Sequence, residues 1–122
     1  MKKALIIEDP SRHRESIIEP YKEFLKAFNY ESENVFYTMQ AKSRLESGVF
    51  QLVVIHHYDF FDVTYLRENF PNLKFIGYTA NFEIYSDAEK GTIGADFCTS
   101  MREKYDYVIC TEKSFPEILR GL

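Results

Sequence analysis

Short apolar runs alternate along this chain with longer amphipathic stretches. Residues 3–8, KALIIE, form an isoleucine-rich run of the kind that suits a strand buried on both faces. Residues 9–28 follow, with Asp9 or Ser11 as a helix cap and Glu15 near the first turn. Ile17, Ile18, Tyr21, Leu25 and Phe28 then recur at helical spacing, and Pro20 inside that pattern is expected to kink or divide the helix. The next predicted strand is NVFYTM at 34–39, and the next helix is QAKSRLESG at 40–48, stopped by Gly48. QLVVI at 51–55 reads as a third strand and DVTYLRENF at 62–70 as a short helix ended by Pro71. LKFIGYT at 73–79 is the fourth strand and YDYVIC at 105–110 the fifth. A helix over 95–105 is predicted by the four-residue spacing of Phe97, Met101 and Tyr105, after a long loop at 81–94. Ser114 caps a terminal helix that carries Pro116 in its first turn.

Strand and helix thus alternate five times. That order implies an α/β fold: a five-stranded parallel sheet with helices on both faces and right-handed crossovers, the flavodoxin-like three-layer arrangement. With 122 residues, the chain fits a single domain spanning 1–122, long enough to close one core. No repeat, low-complexity segment or interdomain linker interrupts it.

Composition narrows the function classes. The net charge is −4, and no cluster of lysine and arginine stands out, which argues against nucleic acid or an anionic membrane as a partner. Eleven Phe and nine Tyr without a Trp fit aromatic core packing rather than a binding platform. Cys98 and Cys110 lack the spacing of a metal knuckle or a redox dithiol. The first apolar run is too short for a signal peptide and no run reaches the length of a membrane span, so a cytoplasmic protein with reduced thiols is expected.

Function in such a fold sits at the carboxyl ends of the strands. Strand one ends in Glu8 and Asp9, strand three in His56 and His57, and strand four in Thr79 and Ala80. Strand five ends in Cys110, Thr111, Glu112 and Lys113. An acidic pair, a hydroxyl and a lysine around one pocket could hold a divalent cation, Mg²⁺ being the weakly indicated one, and a phosphoryl group. The first strand-to-helix turn, EDPSRH, has no glycine-rich cradle for a dinucleotide or flavin. Cys98 reads as a core thiol, Cys110 as a buried thiol beside the pocket, and His13 as an exposed residue early in the first helix.

Nearly the whole chain resembles the receiver domain of two-component response regulators. KKALIIEDPS resembles the first strand and its acidic pair, FQLVVIH the third strand, KFIGYTA the fourth, and YDYVICTEKSFPEIL the fifth strand and last helix. The resemblance implies that Thr79 is the switch threonine, Lys113 the pocket lysine and Tyr107 the aromatic that changes rotamer with phosphorylation. It also implies that the face of the fourth helix, fifth strand and fifth helix meets protein partners or a second copy. No output domain follows Leu122, so output is expected to pass through a separate partner or a homodimer.

The departures carry the functional expectation. His56 stands where the family has its phosphoacceptor aspartate, whose carboxylate attacks phosphorus and binds the metal. An ungapped count from Tyr107 places Cys110, not Lys113, at the lysine position. The expected function is therefore a pseudo-receiver, a non-enzymatic signalling and protein-interaction module; His56 is either a hydrogen-bonded residue at a strand end or a group that neutralises Glu8 and Asp9, carboxylates that would favour the charged imidazole. No cofactor is expected. Two alternatives stay open. One is an active receiver whose acceptor has shifted to Asp59 or Asp62, which otherwise read as a loop acid and a helix cap. The other is a metal-binding α/β protein using Glu8, Asp9 and His56; His57 would point to the opposite face.

Overall fold

In the computed structural model the described residues are 2–8, 15–36, 38–56, 60–78, 102–109 and 114–122, with the backbone alone at 15–17, 38 and 60–62. They form β1 (Lys2–Ile7), α1 (Glu15–Ala27), β2 (Tyr30–Val35), α2 (Thr38–Leu45), β3 (Leu52–His56), α3 (Phe60–Asn69), β4 (Lys74–Tyr78), β5 (Tyr107–Val108) and α4 (Ser114–Gly121). The five strands make one sheet in the order β2-β1-β3-β4-β5. Every pairing is parallel, from Lys2↔Tyr30 at one edge to Gly77↔Val108 at the other. The fold class is the flavodoxin-like α/β arrangement expected from the alternation of elements.

The two faces of the sheet follow from the two-residue period of its strands. Leu5, Ile7, Val53, Ile55 and Phe75 pack with Ala41 and Leu45 of α2 and Val63 and Leu66 of α3. Ala4, Ile6, Leu52, Val54, Ile76 and Tyr78 pack with Ile18, Tyr21 and Leu25 of α1 and Phe115 and Leu119 of α4. Each helix buries residues three or four apart, one stripe of a 3.6-residue period. The central strands β1 and β3 are apolar throughout their inner length because both faces are covered.

Several local expectations differ from the structure. The second strand is YESENV, not NVFYTM. It lies at the sheet edge, where only Tyr30 is buried, so main-chain pairing with β1 selects it in the absence of an apolar run. Residues Phe36 and Met39, assigned to that strand from sequence, are exposed beyond it. Pro20 does not divide α1, which continues to Ala27; Pro20 is exposed, on the side of the helix away from the sheet. Asp62 is the third residue of α3 rather than its cap. The fifth strand has only two residues, and three helical residues, 102–104, precede it. Most of the helix predicted over 95–105, the caps Asp9 and Ser11, and the loop at 81–94 lie outside the described residues. Gly48 does end its helix, with φ of 76° and its N–H donating to the Leu45 carbonyl.

The amino-terminal end of β4 is tied to the chain before β5 by one carboxylate. Asp106 Oδ2 accepts from the Phe75 N–H at 2.8 Å, and Oδ1 accepts from Arg67 at 3.0 Å. Arg67 also donates to the Lys104 carbonyl at 2.7 Å. Tyr105, between these anchors, is thereby held over Gly77, where the missing side chain makes room for its ring. This fixes β5 beside β4 although the strand itself contributes few ladder bonds.

Candidate functional site

Glu8 follows the last residue of β1, and its backbone is held on both sides. Its N–H donates to the Val35 carbonyl at 3.0 Å. The Asn34 side-chain amide donates to the carbonyls of Ile6 at 3.0 Å, Glu8 at 3.3 Å and Val35 at 3.1 Å. Asn34 therefore staples the end of β1 to the end of β2 and sets where the Glu8 side chain starts.

His56 ends β3 and is level with Tyr78, the last residue of β4, in the parallel register. Both continue the strand alternation on the face shared by Val54 and Ile76, the α1 and α4 side of the sheet. Glu8, two residues after Ile6, comes to the same side. Three side chains from three neighbouring strand ends thus converge.

The Tyr78 hydroxyl donates to Glu8 Oε2 at 2.7 Å, a bond within the buried interior. His56 Nδ1 is 3.9 Å from the same oxygen, within ion-pair range when the imidazole is protonated and too long for a hydrogen bond. The His56 and Tyr78 rings meet edge to face, with centroids 5.2 Å apart at 77°. Glu8 and His56 are 1% and 2% exposed, the only polar or charged side chains in the described core. Buried polar groups on this scale are retained only when they answer one another.

Aromatic packing backs the cluster. Tyr78 lies against Tyr21 of α1 with centroids 4.6 Å apart, and Tyr21 meets Phe115 of α4 edge to face at 5.3 Å. The Tyr78 ring is fully buried, so its hydroxyl is aimed at Glu8 by packing on the opposite side.

Of the residues singled out from sequence, Glu8 and His56 are brought together at the strand ends. Tyr107 opens β5 opposite Ile76 and is partly buried against the α1 and α4 side of the core. Asp9, His57, Asp59, Thr79, Cys110 and Lys113 lie outside the described residues, as do His13 and Cys98. Sequence reasoning missed Tyr78 and Asn34. Tyr78 was legible only through register: as the last residue of β4 it must stand beside the last residue of β3. Asn34 was hidden by the misplaced second strand.

Among the described residues no group of three His, Cys, Asp or Glu side chains is placed to hold a metal ion. None of the described helices is long and apolar enough to cross a membrane. A cavity of about 580 Å³ sits at the opposite end of β4, lined by Arg67, Phe70, Phe75, Lys104 and Asp106 among others.

The sequence matches no family model and no curated protein. Its fold, however, is similar to solved structures. A response regulator receiver domain protein from Clostridium thermocellum superposes with a TM-score of 0.68 at 13% identity, over 99% of this chain and 93% of that one. The response regulator protein TrrA from Thermotoga maritima, solved in complex with Mg²⁺-BeF, gives 0.67 at 21% identity, over 99% and 96%. The signal receiver domain of an HD domain-containing protein from Pseudomonas fluorescens Pf-5 gives 0.54 at 14% identity, over 84% and 93%. The chain therefore has the fold of response regulator receiver domains along nearly its whole length.

Proposed function

We propose that this protein is a receiver-fold signalling module that works through protein contacts and is not phosphorylated on aspartate. The observation that carries the reading is His56, buried at the end of β3 and 3.9 Å from the Glu8 carboxylate. Phosphoryl transfer to a receiver requires a carboxylate at that point, which serves both as nucleophile and as part of the anionic pocket. An imidazole there supplies no negative charge when neutral and opposes a cation when protonated. Next to Glu8 the protonated ring would instead complete a charge pair, holding the strand ends in one arrangement.

On this reading the protein presents a fixed surface rather than a phosphorylation-dependent one. The face of β5 and α4 is the proposed contact for a cytoplasmic protein partner or a second copy of the chain. Tyr107 lies on it as a static packing residue. Asp59 and Asp62 are the alternative acceptors; Asp62 is the third residue of α3.

The test is intact-mass analysis after incubation with acetyl phosphate and Mg²⁺. Wild-type protein is expected to keep its unmodified mass, as is Asp59→Asn. A Mg²⁺-dependent gain of one phosphoryl group on the wild type, lost in Asp59→Asn or Asp62→Asn, would instead establish an active receiver with a displaced acceptor.

A further inference from the structure

A divalent cation at the strand ends would need the oxygens of Glu8, and that carboxylate is buried. Oε2 accepts the Tyr78 hydroxyl at 2.7 Å, the carboxylate is 1% exposed, and His56 occupies the space beside it. Among the described residues Glu8 is the one buried carboxylate, and by itself it does not fit a hard cation such as Mg²⁺, which demands several oxygen ligands and retains water in its shell. His56 alone does not account for this closure. We infer that Tyr78 is a second, independent closure of the site: its hydroxyl sequesters Glu8, so that replacing His56 with a carboxylate residue does not by itself open a cation site. This rests on the reading of His56 as the substitute for a phosphoacceptor, and adds a residue that the resemblance does not single out.

The geometry makes the two closures separable. His56 and Tyr78 come from adjacent strands at the same register level, yet they act on Glu8 differently. His56 brings a ring nitrogen to 3.9 Å, whereas Tyr78 contributes a short hydrogen bond from a ring locked by Tyr21. Changing the first removes the imidazole and leaves the second in place. Tyr78→Phe removes only the hydroxyl and keeps the ring packing.

Mg²⁺ titration by calorimetry on four proteins tests the inference: wild type, His56→Asp, His56→Asp/Tyr78→Phe, and the last with Glu8→Gln added. The expected result is a double variant that binds Mg²⁺ about tenfold or more tightly than His56→Asp, the size of one charged hydrogen bond released. Adding Glu8→Gln should return the affinity to the level of His56→Asp. Equal affinity of His56→Asp and the double variant would overturn the inference, as would a gain that survives Glu8→Gln. Circular dichroism verifies folding of each protein, and His56→Asp/Tyr78→Met replaces the double variant if the phenylalanine does not fold. Phosphoryl labelling of the wild type is a separate failure: it would remove the reading of His56 while leaving the Tyr78 comparison measurable.

Discussion

Tyr78→Ala is expected to cost roughly 4 kcal/mol or more, enough to bring a domain of this size near the edge of folding. The ring is fully buried at the centre of an aromatic line between His56 and Tyr21. Truncating a buried aromatic to alanine typically costs about 3–5 kcal/mol through lost burial and the cavity left behind. The same change strips the Glu8 carboxylate of its hydroxyl donor in a site sealed from water. A buried acceptor left without its partner adds about 1–3 kcal/mol. Tyr78→Phe isolates the second contribution, because the ring remains, and should lose only about 1–3 kcal/mol. Urea unfolding followed by circular dichroism separates the two. If Tyr78→Phe were as stable as wild type, the hydroxyl–carboxylate bond would have no energetic weight and the closure of the site would lose its basis.

Gly77→Ala is the second large effect, on the opposite face of the same strand. A Cβ added there would lie 2.5, 2.6 and 2.7 Å from three ring carbons of Tyr105. One of these is the ring's attachment carbon, so rotation of a flexible tip cannot relieve the contact. Tyr105 is itself 2% exposed and is followed by Asp106, whose carboxylate is bonded to Phe75 and Arg67. The ring therefore has little freedom to withdraw, and overpacking of this kind costs about 1–3 kcal/mol, with more expected here. The effect should also be non-additive. Gly77→Ala should destabilise a Tyr105→Leu background by less than it destabilises wild type, since the clashing ring is gone. Equal costs in both backgrounds would mean that the ring is not what the methyl group meets.

The fold was largely legible because its central strands are written in uninterrupted apolar residues. Residues 4–7, 52–55 and 75–78 could not be solvated on either face, and alternation with amphipathic helices leaves few topologies. The second strand was not legible for the converse reason. YESENV is an edge strand with three glutamate or asparagine side chains on a half-solvated surface, and its identity comes from pairing with β1. An apolar pattern assigns such a segment to a loop and moves the strand to the nearest hydrophobic residues, Phe36 to Met39. Gly77 reads from sequence as an ordinary strand residue; only the approach of Tyr105 gives it a reason.

For the site, Glu8 and His56 were legible because an ionisable residue at the end of a buried run has few other roles. Tyr78 was not, because a tyrosine in a strand reads as core. It is core, and its distinguishing feature is the direction of one hydroxyl, set by the register of β3 and β4 and by packing on Tyr21. Asn34 is a similar case: its three carbonyl contacts depend on the pairing of β1 with β2, which no local pattern encodes.

We propose that the strand ends form a closed cluster of Glu8, His56 and Tyr78 rather than an open anionic pocket. The most direct measurement is a ¹H–¹⁵N correlation spectrum of the wild-type protein titrated with Mg²⁺ and beryllium fluoride, whose tetrahedral anion has the shape of a bound phosphoryl group. With a closed cluster, the amide resonances of Glu8, His56 and Tyr78 stay in place at all concentrations. Saturable, Mg²⁺-dependent shifts of those three resonances would contradict it and establish that the pocket opens to a cation and an anion together.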